Sequence, residues 1–151
     1  MSRRLAFITL GLGLACANVL PLCSVSRAAE PPPIVRAGIV MPNSPSTAPP
    51  SMSAFLERLR ELGYIEGQNL VLEGRWANDQ TDRLPEIVGD VIRRKPDVLV
   101  TWGAIAAIAA KKTTSTIPIV AVAMGDPVRS GLAASLARPG GNLTGLSLGW
   151  S

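Results

Sequence analysis

"DVLVTWGAIAAIAAKKTTSTIPIVAVAMGDP", residues 97–127, decides the fold. "DVLVT" is a short β-branched apolar run, the pattern of a strand buried on both faces. "GAIAAIAAKKTTS" follows as a small, alanine-rich helix. Its lysines lie in the last turns, where a cation opposes the helix dipole favourably. "IPIVAVAM" is a second apolar strand, stopped by Gly125-Asp126-Pro127. Asp126 can cap a following helix with its carboxylate, and Pro127 is pre-shaped for the first helical position. Strand, helix and strand in that order predict a parallel pair joined by a crossover helix.

The same alternation continues on both sides. Upstream, Ile34–Met41 is an apolar run of strand length, and Pro42, Pro45, Pro49 and Pro50 mark the loop after it. In residues 51–63, Met52, Phe55, Leu56, Leu59 and Leu62 share one helical face, and Gly63 is a natural stop. "NLVLEGRW", residues 69–76, reads as the next strand. A helix begins near Thr81 or Asp82, with Pro85 in its first turn and Leu84, Ile87, Val88, Val91 and Ile92 as its buried stripe; Pro96 ends it. Downstream, "PVRSGLAASLAR" (127–138) reads as a fourth helix and "NLTGLSLGW" (142–150) as a fifth strand. The expected fold is therefore α/β, an open parallel sheet with helices on both faces in the order βαβαβαβαβ, with right-handed crossovers.

The first thirty residues are of a different kind. Arg3 and Arg4 precede an apolar run from Leu5 to about Val19; Pro21 follows, and the segment ends in Ser26-Arg27-Ala28. This is the order of a secretory signal peptide, with cleavage expected after Ala28 and a linker over 29–33. The apolar run is shorter than the ~20 residues that span a bilayer. A lipoprotein is less well supported, because Gly13 precedes Cys16 by three and Leu22 stands directly before Cys23. The expected location is periplasmic.

Composition excludes several chemistries. The formal charge of +4 owes much to Arg3, Arg4 and Arg27; the rest of the chain holds 12 basic against 11 acidic residues. No basic stripe survives to contact nucleic acid. Both cysteines lie in the leader, and the chain has no histidine. A Ser-His-Asp triad, a Cys-His pair and thiolate or imidazole metal sites are thus absent, so an enzyme is disfavoured. No strand-to-helix turn carries GxxxxGK or GxGxxG, which argues against a nucleotide; no cofactor is expected.

In an open parallel sheet, ligands bind beyond the carboxyl ends of the strands, where helix N-termini present free N–H groups. Three turns qualify: "MPNSPST" after the first strand, "TWGAIAA" after the third and "MGDPVRSG" after the fourth. They nominate Asn43, Ser44, Thr101, Trp102, Gly103 and Asp126 as ligand-binding residues. For Asp126 the competing reading is a structural helix cap. Trp102 either stacks on an aromatic ligand or fills the cleft. The sequon Asn142-Leu143-Thr144 reads as a turn into the last strand.

"AGIVMPNSP", "FLERLRELGYIEGQNLVLEGRWANDQTDRLPEIVGDVIRRKPDVLVTWG" and "TSTIPIVAVAMGDPVRSGLAASLARPGGNLTGLS" together resemble the ABC-transporter substrate-binding protein family, of the uncharacterised or tryptophan type. The resemblance covers residues 34–148. It implies a type I periplasmic-binding-protein fold, in which two α/β lobes close on a small solute such as an amino acid and deliver it to an inner-membrane ABC permease. Residues 34–151 would then be the N-terminal lobe, with the second lobe absent and binding by one lobe weak. The family's turn after the third strand resembles "TSGTPAA", suited to a ligand carboxylate, whereas this chain has "TWGAIAA" and lacks the hydroxyl. The alternative is a non-transport interaction protein or homodimer that uses the exposed surface of the lobe.

Overall fold

The computed structural model describes residues 33–136 and 140–148. The signal-peptide reading falls outside these residues. Five strands are present: β1 (Val35–Met41), β2 (Leu70–Trp76), β3 (Val98–Trp102), β4 (Ile119–Val122) and β5 (Leu143–Leu146). Three α-helices connect them: α1 (Pro50–Glu61), α2 (Leu84–Arg93) and α3 (Gly103–Thr113). Every pairing is parallel and the sheet order is β2-β1-β3-β4-β5.

That order dictates which helix covers which face. The chain steps from β1 outward to β2, then crosses back over β1 to β3. With right-handed crossovers, α1 must lie on one face and α2 and α3 on the other. Alternate strand residues divide accordingly. Val40, Leu99, Ile119, Ala121 and Leu143 join Leu84, Ile87, Val88 and Val91 of α2 and the alanines of α3 in the main core. Ile39, Met41, Val100 and Trp102 face the other way, towards Met52 and Phe55 of α1.

The two faces are unequal. α2 buries Leu84, Ile87, Val88 and Val91, and α3 buries four alanines. α1 buries no residue completely. The small alanine side chains bring α3 close to the sheet. α2 comes closer still at Gly38 of β1, where an added Cβ would stand 2.3 Å from Val91 Cγ1 and 2.9 Å from Leu99 Cδ2. On the outer strand β2, Glu73 lies 3.7 Å from Arg75 and 3.3 Å from Arg94 at the end of α2.

The expected fourth helix does not form among the described residues. Asp126 starts one helical turn, with the Ser130 N–H returning to the Asp126 carbonyl at 3.2 Å. Gly131 then takes φ +69°, the Leu132 N–H reaches the Pro127 carbonyl (2.8 Å), and the Gly131 N–H reaches that of Val128 (3.1 Å). This double bond with a left-handed glycine is a helix-terminating arrangement, so the segment ends after one turn despite its helical composition. β5 is also shorter than the 142–150 run. The asparagine of the sequon is a structural turn residue as expected: Asn142 Nδ2 donates to the carbonyls of Thr114 (3.1 Å) and Ile117 (2.7 Å).

Gly38→Ala is expected to cost about 1–3 kcal/mol of unfolding free energy, the usual price of overpacking a filled core. Combined with Val91→Ala, the double variant should be more stable than the sum of the two single costs predicts. Urea unfolding of the three variants checks this; strict additivity would show that the α2–β1 contact is not the cause.

Candidate functional site

Because all strands run the same way and β1, β3 and β4 are neighbours, the three nominated turns share one rim. In register, Val40 lies opposite Thr101, Thr101 opposite Ala121, and Trp102 opposite Val122. The three exits nevertheless differ in how their polar groups are used.

The β1 exit is tied to itself and to β2. Ser44 Oγ lies 2.9 Å from Ser46 Oγ and 3.1 Å from Thr47 Oγ1, and Asn43 Nδ2 donates to the Thr47 carbonyl. The N–H groups of Asn78 and Asp79 donate to the carbonyls of Asn43 (3.2 Å) and Pro42 (2.9 Å). Both residues take positive φ, 50° and 64°, which folds the β2 exit back over that of β1. Asn and Asp tolerate this region better than most side chains. Asn43 and Ser44 therefore sit on the rim, half-buried, in a turn that is held in place.

The β4 exit is closed by Asp126. Its Oδ1 accepts the N–H groups of Val128 (2.9 Å) and Arg129 (3.1 Å), which satisfies the structural reading of this residue as a cap. Ser147 Oγ donates to the Gly125 carbonyl and links this turn to the end of β5. Beside it lies a depression of about 450 Å³ lined by Asp126, Pro127, Val128, Arg129, Leu136, Ser147 and Leu148.

At the β3 exit, as at the starts of α1 and α2, the helix N-terminus has no side-chain cap among the described residues. No side chain caps the N-terminus of α3, whose first residue, Gly103, has φ +78°. The first N–H groups of a helix have no partner within the helix and carry its positive dipole end. Ile105, one residue further in than Ala104, is 53% exposed beside them. An anionic group fits such a terminus.

Thr101 and Trp102 lie under the rim instead of on it. Trp102 is buried, donates from Nε1 to Ser51 Oγ (3.1 Å), and meets Phe55 edge-on with ring centroids 5.6 Å apart. These contacts anchor the first turns of α1 to the sheet. Thr101 faces the opposite side with Val40 and Ala121. It is completely buried, and its hydroxyl has no hydrogen-bond partner among the described residues. Strand parity decides these directions, and both faces of a parallel sheet are apolar, so the sequence carries no signal for them. The contacts of Ser51, Ser147 and Lys111 have no signal in the sequence. Each acts through a long-range contact that no local pattern encodes.

A family model described as ABC transporter substrate binding protein matches residues 43–149. The chain belongs to that family. It is 33% identical over 93 residues to a tyrosine-binding protein of Clostridioides difficile, an alignment covering 62% of this chain and 27% of the relative. Among solved structures, a substrate-binding protein with adhesive properties from Clostridium difficile, ligand-free and open, superposes with TM-score 0.71 at 26% identity. The match covers 76% of this chain and 39% of that one. A conserved domain protein from Vibrio cholerae gives TM-score 0.68 at 32% identity, over 75% and 38% of the two chains. An ABC domain in complex with L-Trp from Streptococcus pneumonia shares the fold, with TM-score 0.68 at 23% identity, over 76% and 38%. The chain thus spans well under half the length of the relatives it matches.

Replacing Thr101 by Val keeps the shape of the side chain and removes the unpaired hydroxyl. The expected result is a gain of about 1–2 kcal/mol in unfolding free energy, since an unsatisfied buried polar group costs that much. A loss of stability on urea unfolding would reveal that the hydroxyl is in use.

Proposed function

We propose that this chain provides one side of a solute-binding clamp in an ABC import system. The solute is a small organic molecule such as an amino acid, held at the carboxyl ends of the strands and passed to a membrane permease outside the cytoplasm. The observation that carries this reading is the uncapped N-terminus of α3, flanked on one sheet edge by the immobilised turns after β1 and β4. A carboxylate is the group such a terminus receives best. The names of relatives that bind tyrosine and L-Trp support the amino-acid class. The alternative of an interaction protein or homodimer draws no support from these relatives.

In this reading, Gly103 and the N–H groups after it receive the solute carboxylate, while Asn43, Ser44 and Asp126 border it. Thr101 and Trp102 support the rim from below. A single side of the clamp buries only part of a ligand's surface, whereas tight small-molecule sites enclose most of it.

Ile105→Glu places a carboxylate in the first turn of α3. It should raise helix stability by about 0.3–1 kcal/mol through the dipole. It should also lower affinity for L-tryptophan and L-tyrosine by about tenfold or more, through competition and like-charge repulsion. Calorimetric titration with L-tryptophan, and with tryptamine as the analogue that lacks the carboxylate, reads the effect. Equal affinity of wild type and variant for L-tryptophan would overturn this placement of the solute.

A further inference from the structure

We infer that Lys111 is the positioning residue of the β4–β5 loop, setting the place of the Asp126-capped turn that walls the depression at the rim. Its Nζ donates to the carbonyls of Gly131 (3.0 Å) and Leu132 (2.8 Å). Those are the carbonyls of the left-handed glycine and of the residue after it, where the single helical turn ends. Among the described residues no carboxylate pairs with this ammonium, and the two carbonyls are what it bonds. Hydrogen bonds from a charged donor are about twice as strong as neutral ones.

The loop needs such a tether. One helical turn does not hold itself, because nucleation fixes several dihedral angles for a single hydrogen bond. Residues 123–136 contain no strand and no α-helix. Ala123 enters the loop at φ +57°, a left-handed conformation costly for any residue with a Cβ. At its start the loop is tied to β5 by the Met124 N–H to the Leu146 carbonyl (3.4 Å) and by Ser147 Oγ to the Gly125 carbonyl, and Met124, Leu132 and Ala133 are buried. The two directed hydrogen bonds from Lys111 add a fixed register at the other end, where the helical turn stops.

The tether also gives the rim one reference body. Gly103, at the open end of α3, and Lys111 lie eight residues apart on one rigid helix, or about 12 Å at 1.5 Å per residue. The same helix therefore presents its free N–H groups to the rim and holds the neighbouring wall. The consequence for solute binding rests on the function proposed above; the tether itself does not.

The test uses Lys111→Met, which keeps the apolar stem, and Lys111→Arg, which keeps the charge. Amide hydrogen exchange is followed for Leu132 and Ala133, whose N–H groups both bond the Pro127 carbonyl, with the α2 amides as the internal control. In Lys111→Met, exchange at Leu132 and Ala133 should accelerate about tenfold or more, the equivalent of losing one charge-assisted hydrogen bond. The α2 amides should be unchanged, and Lys111→Arg should restore most of the protection. Unchanged loop exchange overturns the inference, and so does acceleration that α2 shares equally. L-tryptophan titration of the same variants reads the consequence: a loosened loop with undiminished affinity overturns the positioning role. Wild-type protein that binds no amino acid refutes the solute reading instead, and exchange alone then decides the tether.

Discussion

The absence of a side chain at Gly38 governs this molecule. A larger residue there would push against Val91 and Leu99 and hold α2 off β1. α2 is the element that carries the chain back across β1, and that crossing makes β1 and β3 neighbours. Once they are, β4 and β5 extend the sheet in the same direction, and every strand delivers its exit to one edge. A rim that gathers turns from distant parts of the sequence is thus the outcome of one close approach in the core.

Along that rim, the folding of the turns leaves very different residual chemistry. Hydroxyls absorb the polar groups after β1, and a carboxylate absorbs those after β4. The start of α3 keeps its donors, because "WGAIAA" offers no side chain able to cap it. A polar residue there would satisfy the helix and fill the terminus. Ser, Thr, Asp or Asn at a helix start stabilises by about 1 kcal/mol relative to an uncapping residue. The chain forgoes that stabilisation at the start of α3, between the hydroxyl-tied turn after β1 and the Asp126-capped turn after β4.

Much of this was legible in the sequence. Apolar runs of strand length, alternating with amphipathic or alanine-rich segments, gave the order of elements through β4 and the parallel sheet. Residues resembling a known family pointed to the family that the chain proves to belong to. Two things were not legible. "PVRSGLAASLAR" has helical composition, but Gly131 at φ +69° overrules it, and only the backbone angle decides between a tolerated glycine and a terminating one. Thr101 and Trp102 were nominated for standing at a strand end; which face each addresses depends on register with β1 and β4. The partners of Lys111 and Asn142 lie 20 or more residues away, beyond the reach of any local pattern.

The cluster of Glu73 with Arg75 and Arg94 acts on the outline of the sheet. Charged side chains on an outer strand discourage another strand from docking there. The opposite flank carries Thr144 and Leu146, and Leu146 is 69% exposed. The sheet is thus sealed laterally on one side and receptive on the other.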